Sequence, residues 1–438
     1  MKPGDSSPES EDGLREKIAL GSQDPDIYCR LAELLFAAGR QEEAVSFYER
    51  ALSLPLTELQ KAKVSAELGW LFYEMAKETQ ALSLATAAAE ILSKELEGPE
   101  VLAWRGASES LRAHCIWSTD EKAGPDAARS ALEYFKRVMV EAPDFDDIAG
   151  AYYDAARLSN LLGNTRETIV YCEKCLRYDL SERERLQCLV VFVEALRNEE
   201  RFAEAEKNLE EAFELAKADI AALPRLYMEV GMVKRLTNHL DEAQRSFRGA
   251  LQALESHPYS RDDTHYLTQV YWNLGEAYYE SGKYEETVTV FQKVLEYHPN
   301  DDTDRREAFR WLGKSYHATG RYAEARDCYE QVLNSPVSSE AEKASVQAGL
   351  GKVYYDQGDY ERAVATFETI IAHFPQDNAF HCDVLLWLGC SYEALEIDAK
   401  ARDCFDRVLK SPHASEAEVS SAQEGLSRLP PFPKKTLH

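Results

Sequence analysis

Apolar residues recur at steps of three and four along most of the chain, which predicts amphipathic helices. Between residues 268 and 413 this pattern repeats with a constant step of 38 residues. The repeated signal is a Leu-Gly pair with a tyrosine four residues after the leucine: Leu274, Gly275 and Tyr278, then Leu312, Gly313 and Tyr316, then Leu350, Gly351 and Tyr354, then Leu388, Gly389 and Tyr392. A period of this length indicates a solenoid of stacked units rather than a globular catalytic domain.

Residues 347–375 contain one repeat in full. Gly358 falls between two stretches of helical periodicity, where the first helix is expected to end and the chain to turn. Gly351 and Ala363 are small residues at the places where two antiparallel helices would cross closely, and a larger side chain would overpack that contact. Pro375 closes the second helix. Each repeat is therefore predicted to be a pair of antiparallel helices.

Ten repeats fit residues 25–413 in this register. Their anchor residues step by 37 or 38 residues, apart from two longer steps: Ala44, Ala81, Ala131, Thr168, Ala205, Ala243, Thr287, Ala325, Ala363 and Ala401. The step of 50 between the second and third anchors predicts an insertion near residues 114–127. The step of 44 between the sixth and seventh anchors places extra residues around 257–263.

The predicted organisation is one helical domain with short ends. Its segments are a disordered acidic lead and partial cap at 1–24, repeats one to six at 25–256, a linker at 257–267, repeats seven to ten at 268–413, a C-terminal capping helix at 414–429 and a tail at 430–438. The closing helix is expected to cover the last exposed apolar face, because a solenoid needs polar terminal caps.

The repeat resembles the tetratricopeptide repeat family. The family pattern matches Tyr271, Leu274, Gly275, Tyr278, Phe291, Val294 and Pro299 in the seventh repeat, and Leu385, Leu388, Gly389, Tyr392, Ala401, Phe405, Val408 and Pro412 in the tenth. The resemblance implies an all-α fold, a right-handed superhelical α-solenoid of antiparallel helix pairs. It also implies that the first helix of each repeat lines a concave groove, which commonly binds an extended or helical peptide. The usual unit of the family has about 34 residues, so the longer step here leaves the curvature open.

Net charge, apolar runs and cysteine usage limit the classes of partner and the cellular compartment that this chain suits. The formal net charge of −27 argues against a nucleic-acid partner, because nucleic acids require a basic surface. No apolar run reaches the roughly 18 residues of a membrane span, and the Ser/Pro/Glu/Asp-rich start does not resemble a secretory signal. Nine cysteines are scattered through helical segments, where cysteine acts as a small hydrophobe. These features favour a cytoplasmic protein.

One cluster offers metal or redox chemistry, namely Cys172 and Cys175 with Cys188 nearby. Zinc requires four ligands, and no second cysteine pair or histidine pair stands at a suitable spacing. The Cys-x-x-Cys pair also falls on the apolar stripe of a second helix, which favours a packing role. No catalytic motif, phosphate-binding glycine loop or dinucleotide fingerprint occurs. We therefore expect no enzymatic activity, no metal and no cofactor.

The first-helix positions that the resemblance assigns to the groove are basic and aromatic in an otherwise acidic chain. They hold Tyr153, Arg157, Arg197, Arg235, Trp272, Tyr279, Arg310, Lys314, His317, Lys352 and Tyr355. Arginine forms bidentate contacts with carboxylates, and aromatic side chains supply rigid apolar area. The set favours an acidic peptide or partner domain with an apolar anchor. Pairing with neighbouring glutamates along each helix explains the same residues without any ligand.

Three functions stay open at this point. The first is a non-catalytic protein-interaction scaffold or adaptor that binds an acidic segment in the groove. The second is a self-associating structural solenoid, a homo-oligomer that an exposed Trp117 in the insertion would favour. The third is bacterial envelope assembly, because residues 344–429 resemble the repeats of envelope-assembly adaptors.

Overall fold

The computed structural model describes residues 10–430 except for 76, 94–96, 118–119, 121, 218–221, 257–261, 298–301 and 375–377. The described residues form helices and turns without a strand. The chain divides into two compact units, Met1–Leu267 and Thr268–His438, and each is described by itself. Pro299 and Pro375, the predicted ends of two second helices, lie outside the described residues.

The first unit contains a short leading helix followed by six helix pairs. The helices are α1 Glu11–Ala19, α2 Pro25–Ala37, α3 Gln41–Leu52, α4 Glu58–Glu74, α5 Glu78–Ser93, α6 Pro99–Ile116, α7 Ala123–Glu141, α8 Ile148–Leu161, α9 Thr165–Cys175, α10 Glu182–Asn198, α11 Phe202–Leu215, α12 Leu223–Leu236 and α13 Leu240–Ser256. Each even-numbered helix packs on the odd-numbered helix that follows it.

The second unit contains four helix pairs and a closing helix. They are α14 Asp262–Glu280, which contains the border between the units, α15 Tyr284–Tyr297, α16 Asp302–Ala318, α17 Tyr322–Asn334, α18 Glu340–Asp356, α19 Tyr360–His373, α20 Ala379–Ala394, α21 Asp398–Lys410 and α22 Glu416–Arg428. The predicted all-α fold of repeating helix pairs is confirmed in the described part of the chain.

Side-chain caps start several of the first helices. At the start of α18 the Ser339 hydroxyl accepts a hydrogen bond from the backbone N–H of Glu342 at 3.2 Å, and the Glu342 carboxylate accepts one from the Ser339 N–H at 2.7 Å. Two backbone donors that the helix cannot satisfy are thereby paired. Equivalent caps are formed by Thr57 with Gln60, Ser181 with Glu184 and Ser415 with Glu418.

In six of the described repeats a glycine of the first helix faces an aromatic ring of the second helix. One pair is Gly106 of α6 with Phe135 of α7, and in the other five the partners lie sixteen positions apart: Gly231 and Phe247, Gly275 and Phe291, Gly313 and Tyr329, Gly351 and Phe367, Gly389 and Phe405. A Cβ atom on Gly313 would lie only 2.5 Å from Tyr329 Cε1. Glycine therefore allows the helices of a pair to cross closely enough to enclose the ring.

The turn between the two helices of a repeat uses a left-handed residue. Gly320 has a φ of +74°, and the N–H of the next residue, Arg321, donates to the Tyr316 carbonyl at 2.8 Å. Glycine adopts this conformation without steric cost, whereas other residues do not. Glu396 occupies the same turn position in the tenth repeat with a φ of +58°. That repeat consequently carries backbone strain at its turn.

Both predicted ends contain helix. Residues 11–19 of the predicted lead 1–24 form α1, and Leu14 of this helix is buried against the first repeat. Residues 1–9 lie outside the described part of the chain. At the other end α22 falls within the predicted capping segment 414–429, and 431–438 of the predicted tail lie outside the described residues.

The two anchor-to-anchor steps that exceed 38 residues correspond mainly to longer helices. Around the predicted insertion 114–127, α6 has 18 residues and α7 has 19, so both are longer than the neighbouring α8 and α9. Trp117 caps α6 and is partly buried, and a Cβ on Gly124 would lie 2.8 Å from its Cα. The exposed Trp117 that would favour self-association is therefore not found. In the predicted linker 257–267, α14 already begins at Asp262, and 257–261 lie outside the described residues.

We expect Gly313→Leu to destabilise the second unit by about 1–3 kcal/mol or more, because the added side chain overlaps the buried Tyr329 ring. Urea unfolding followed by far-UV circular dichroism measures the change. The matched control is Glu330→Leu, which introduces the same side chain at an exposed position of α17. An unchanged unfolding midpoint in Gly313→Leu would contradict the assigned repeat register.

We expect Glu396→Gly to raise the free energy of unfolding by up to about 1 kcal/mol, because glycine relieves the left-handed strain at this turn. The control is Glu396→Ala, which removes the same charge but retains a Cβ atom. Only the glycine variant should shift the thermal midpoint upward. Equal shifts in both variants would assign the effect to the lost charge instead.

Candidate functional site

Seven predicted site residues lie on the first helices of the second unit, α14, α16 and α18. We define the second-unit face as these seven residues and two tryptophans that contact them: Trp272, Tyr279, Arg310, Trp311, Lys314, His317, Lys352, Tyr355 and Trp387. Successive first helices meet here through aromatic edge contacts. The ring centroids of Tyr279 and Trp311 are 5.2 Å apart, and those of Tyr355 and Trp387 are 5.4 Å apart.

Three cations of the second-unit face lie over the tryptophan rings. Lys314 Nζ lies 4.7 Å from the centroid of Trp311, and Arg310 Cζ lies 5.6 Å from the same ring. Lys352 Nζ lies 5.2 Å from the centroid of Trp387. Such cation–π contacts hold a positive charge on an apolar platform. The arrangement joins positive charge and flat aromatic surface on one side of the unit.

The three cations differ in their carboxylate partners. Arg310 donates to Glu307 at 2.5 Å, and Lys352 donates to Asp383 at 2.9 Å. Lys314 forms no ion pair with any described carboxylate, although it is only partly exposed. Burial, together with the nearby positive charge of Arg310 and Lys352, lowers the pKa of Lys314. An anion bound beside Lys314 would offset that repulsion.

The remaining members of the second-unit face already have partners within the chain. Trp272 packs edge-on against Phe291, with ring centroids 4.8 Å apart, so part of its area belongs to the core. His317 Nε2 lies 2.7 Å from an Asp356 carboxylate oxygen. These contacts fix side chains around Lys314, which itself has Glu307 and Glu276 nearby but forms no ion pair with either.

Four predicted site residues lie in the first unit, and two of them are in contact. Arg157 Cζ lies 5.7 Å from the Tyr153 ring centroid and 5.3 Å from that of Trp70. Arg197 instead forms a buried ion pair with Glu229 at 2.9 Å, in which the two side chains are 13% and 8% exposed. Its charge is compensated within the protein, so it contributes to packing between α10 and α12. Arg235 is partly buried on α12.

The first unit also contains a cavity of about 490 Å³ with acidic and aromatic walls. We define the first-unit cavity by its lining residues: Glu33, Phe36, Tyr48, Glu67, Trp70, Leu71, Glu74, Trp104, Ala107, Asp154, Arg183 and Gln187. Four carboxylates stand against one arginine in this lining. The basic bias of the predicted groove residues therefore does not extend to the lining of this cavity.

The sequence reasoning missed both tryptophans of the second-unit face and the acids of the cavity. Trp311 and Trp387 directly precede the leucine of a Leu-Gly pair, a position that had not been assigned to the groove. The repeated Trp-Leu-Gly triplet was the signal that could have revealed them. Glu33 and Glu67 resembled the many other glutamates of this acidic chain, so their place in the cavity lining could not be recognised without the fold.

The cysteine cluster has a packing role in the structure. Cys172, Cys175 and Cys188 are buried, and Cys175 Sγ donates to the Ala149 carbonyl at 3.4 Å. A hydrogen bond with Cys172, together with burial, raises the pKa of Cys188, which makes a reactive thiolate unfavourable. Within the described residues, no group of three or more potential ligands could hold a metal ion. None of the described helices combines the length and apolar character required to cross a membrane.

Comparison with family models identifies the repeat. Models described as tetratricopeptide repeat match residues 25–57, 266–336, 308–376 and 349–418. These matches include the four repeats with the constant 38-residue step and the first repeat of the chain. A search of the curated proteins finds no match.

Solved structures with a similar fold have low sequence identity. A Rap protein complexed with competence and sporulation factor is 16% identical with a TM-score of 0.52, and the alignment covers 80% of this chain and 98% of that one. A human IFIT1 dimer with m7Gppp-AAAA is 16% identical with a TM-score of 0.43, covering 91% and 93%. BtubC from P. vanneervenii is 21% identical with a TM-score of 0.40, covering 55% and 96%. From the repeat motif, the helix pairs and the matching family models, we conclude that this chain contains tetratricopeptide repeats at residues 25–57 and 266–418.

Proposed function

We propose that this protein is a scaffold that binds an acidic segment of a partner protein on the second-unit face. The family supports a protein-interaction scaffold in general and is typically non-catalytic. The more specific proposal depends on the charge and the aromatic surface that the second unit presents. Peptide recognition by a helical surface uses such anchors in combination with charge complementarity.

The observation that carries the proposal is the position of Lys314 between two other cations without an ion pair of its own. Its ammonium group lies on the ring of Trp311, beside Arg310 and near Lys352, and only Glu307 and Glu276 act on it from beyond ion-pair distance. A carboxylate of an incoming peptide would complete an ion pair at a site where the positive charge is already fixed in place. Because the site is partly desolvated, this pair would be stronger than one on the open surface.

The aromatic members of the second-unit face suit an apolar anchor. Tyr279 and Trp311 form one edge contact between first helices, and Tyr355 and Trp387 form another two repeats later. Aromatic rings held by neighbours lose little conformational entropy when a ligand packs on them. An acidic peptide with a phenylalanine or leucine would therefore use both features of the face.

We also propose that the protein acts in the cytoplasm, as its cysteine usage predicts. Eight of the nine cysteines are buried thiols that fill space between helices, which is how reduced cysteine is used in a hydrophobic core. Self-association and envelope assembly stay alternative predictions from the sequence. The partial burial of Trp117 gives self-association no additional support.

The proposal predicts that Lys314→Glu weakens binding of an acidic peptide by at least about tenfold, because it places a carboxylate where the ligand's carboxylate would lie. Fluorescence anisotropy of a fluorescein-labelled peptide of alternating aspartate and glutamate with one phenylalanine measures the affinity. Lys314→Met should have an intermediate effect, and added salt should weaken the parent complex.

The matched control is Lys293→Met on the second helix α15, where the lysine pairs with Glu296 and lies away from the second-unit face. This variant loses one positive charge but should bind like the parent. Equal affinities for Lys314→Glu and the parent would overturn the proposal. Circular dichroism of each variant checks that the helical content is unchanged.

A further inference from the structure

A proline-rich segment that the repeat pattern does not explain follows the closing helix α22. After Arg428 the chain reads Leu-Pro-Pro-Phe-Pro-Lys-Lys over residues 429–435. Three of the four residues 430–433 are prolines. Proline lacks a backbone N–H and clashes with the preceding helical turn, so this segment cannot extend the solenoid by a further helix.

The structure fixes the point at which the segment leaves the repeats. Leu429 is 7% exposed and packs in the hydrophobic core of the last two repeats. Its backbone has a φ of −72° and a ψ of 141°, which are the dihedral angles of a polyproline II helix. Arg402 Nη2 donates to the carbonyl of Pro430 at 2.8 Å, and Pro430 itself is exposed. The chain therefore changes from α-helix to extended backbone at a held and accessible position.

The sequence predicts that this backbone conformation continues along residues 430–433. Each proline fixes its own φ near −65°, and the residue before a proline is restricted to the extended region. Pro430 and Phe432 both precede a proline, so neither favours the α region. Residues 431–435 lie outside the described part of the chain, and it is their sequence that indicates polyproline II.

A polyproline II helix suits recognition by a groove. It has three residues per turn and rises about 3.1 Å per residue, so Pro430 and Pro433 would lie on one side, about 9 Å apart. It forms no internal hydrogen bonds, which leaves its carbonyl groups able to accept bonds from a partner. Because proline already restricts the backbone, binding costs little additional conformational entropy.

Two lysines give the segment a charge opposite to that of the whole chain. Residues 429–438 contain Lys434 and Lys435 and neither aspartate nor glutamate, although the chain has a formal net charge of −27. Lys435 stands two positions beyond the last proline. Domains that recognise proline-rich segments dock them in an aromatic-lined groove. Carboxylates beside such a groove would complement this lysine.

We propose that residues 430–435 bind a partner domain of the SH3 type, whose groove is lined by aromatic side chains and flanked by carboxylates. Pro430 and Pro433 would pack on the aromatic rings, and Lys435 would form an ion pair with the carboxylates. The second-unit face takes no part in this contact. With the acidic partner proposed for that face, the protein would connect two different proteins through two separate sites.

The test immobilises the full-length chain through a biotinylated amino terminus and uses biolayer interferometry. The probe is a panel of purified SH3 domains that carry aspartate or glutamate beside the groove. Members of this panel should bind the parent. Pro433→Ala and Lys435→Glu should each weaken that binding by at least about tenfold, because the first loses packing in the groove and the second opposes the carboxylates with a like charge. Added salt should also weaken the parent complex.

The matched controls change the same residue types elsewhere in the second unit. Pro412→Ala alters an exposed proline before α22, and Lys410→Glu alters an exposed lysine at the end of α21. Both should bind the panel like the parent, and so should Lys314→Met on the second-unit face. Absence of binding across the panel would overturn the proposal, as would parent-like affinity in Pro433→Ala. Equal losses in Lys435→Glu and Lys410→Glu would overturn it in favour of general charge attraction.

Neither substitution in the segment should change the stability of the repeats. Pro433 and Lys435 follow α22, so both variants should have the thermal midpoint of the parent in far-UV circular dichroism. A loss of binding at an unchanged midpoint therefore assigns the effect to the segment itself.

Discussion

The close crossing of the two helices in a repeat depends on a glycine that receives an aromatic ring. Gly313 and Tyr329 show the contact most directly, because any Cβ on the glycine would overlap the ring. The ring is enclosed, the helices are fixed at a short separation, and the next repeat stacks on the resulting surface. In the second unit an aromatic residue follows the glycine of every Leu-Gly pair by sixteen positions. This one contact therefore fixes how the two helices are aligned in all four repeats.

The glycine–aromatic contacts form the core, and the outward-facing side chains of the first helices take no part in them. Those outward positions can therefore hold different charges without disturbing the core. In the second unit these positions hold Lys314 on Trp311 without a carboxylate partner. In the first unit they hold Glu67 with an unpaired buried oxygen. The Trp311 ring and the nearby Glu307 and Glu276 partly stabilise the charge of Lys314, and a hydrogen bond with Cys29 and the nearby Lys63 partly stabilise that of Glu67. The outward positions therefore differ in charge between the two units, while the core keeps one kind of contact.

The sequence predicted the fold far better than the sites. Leu-Gly pairs at a constant step identify helix pairs, because the constant spacing shows a repeated unit and the small residue marks where its two helices cross. Residues of a binding site do not recur at a constant spacing, so the sequence does not mark them in this way. Arg197 looked like a groove residue but lies in a buried ion pair with Glu229, a partner more than thirty residues away that only the fold brings into contact. Trp311 was overlooked because it stands beside the motif rather than at an outward position that the pattern marks.

The closing helix also covers an apolar surface of the tenth repeat. Gly425 of α22 receives the free side of the Phe405 ring, in the way that the glycine of a following repeat would. Loss of α22 would expose this ring face and the apolar side chains around it to water. An exposed apolar face of a repeat is a surface on which another chain can pack, so α22 also limits unspecific association at this end of the second unit.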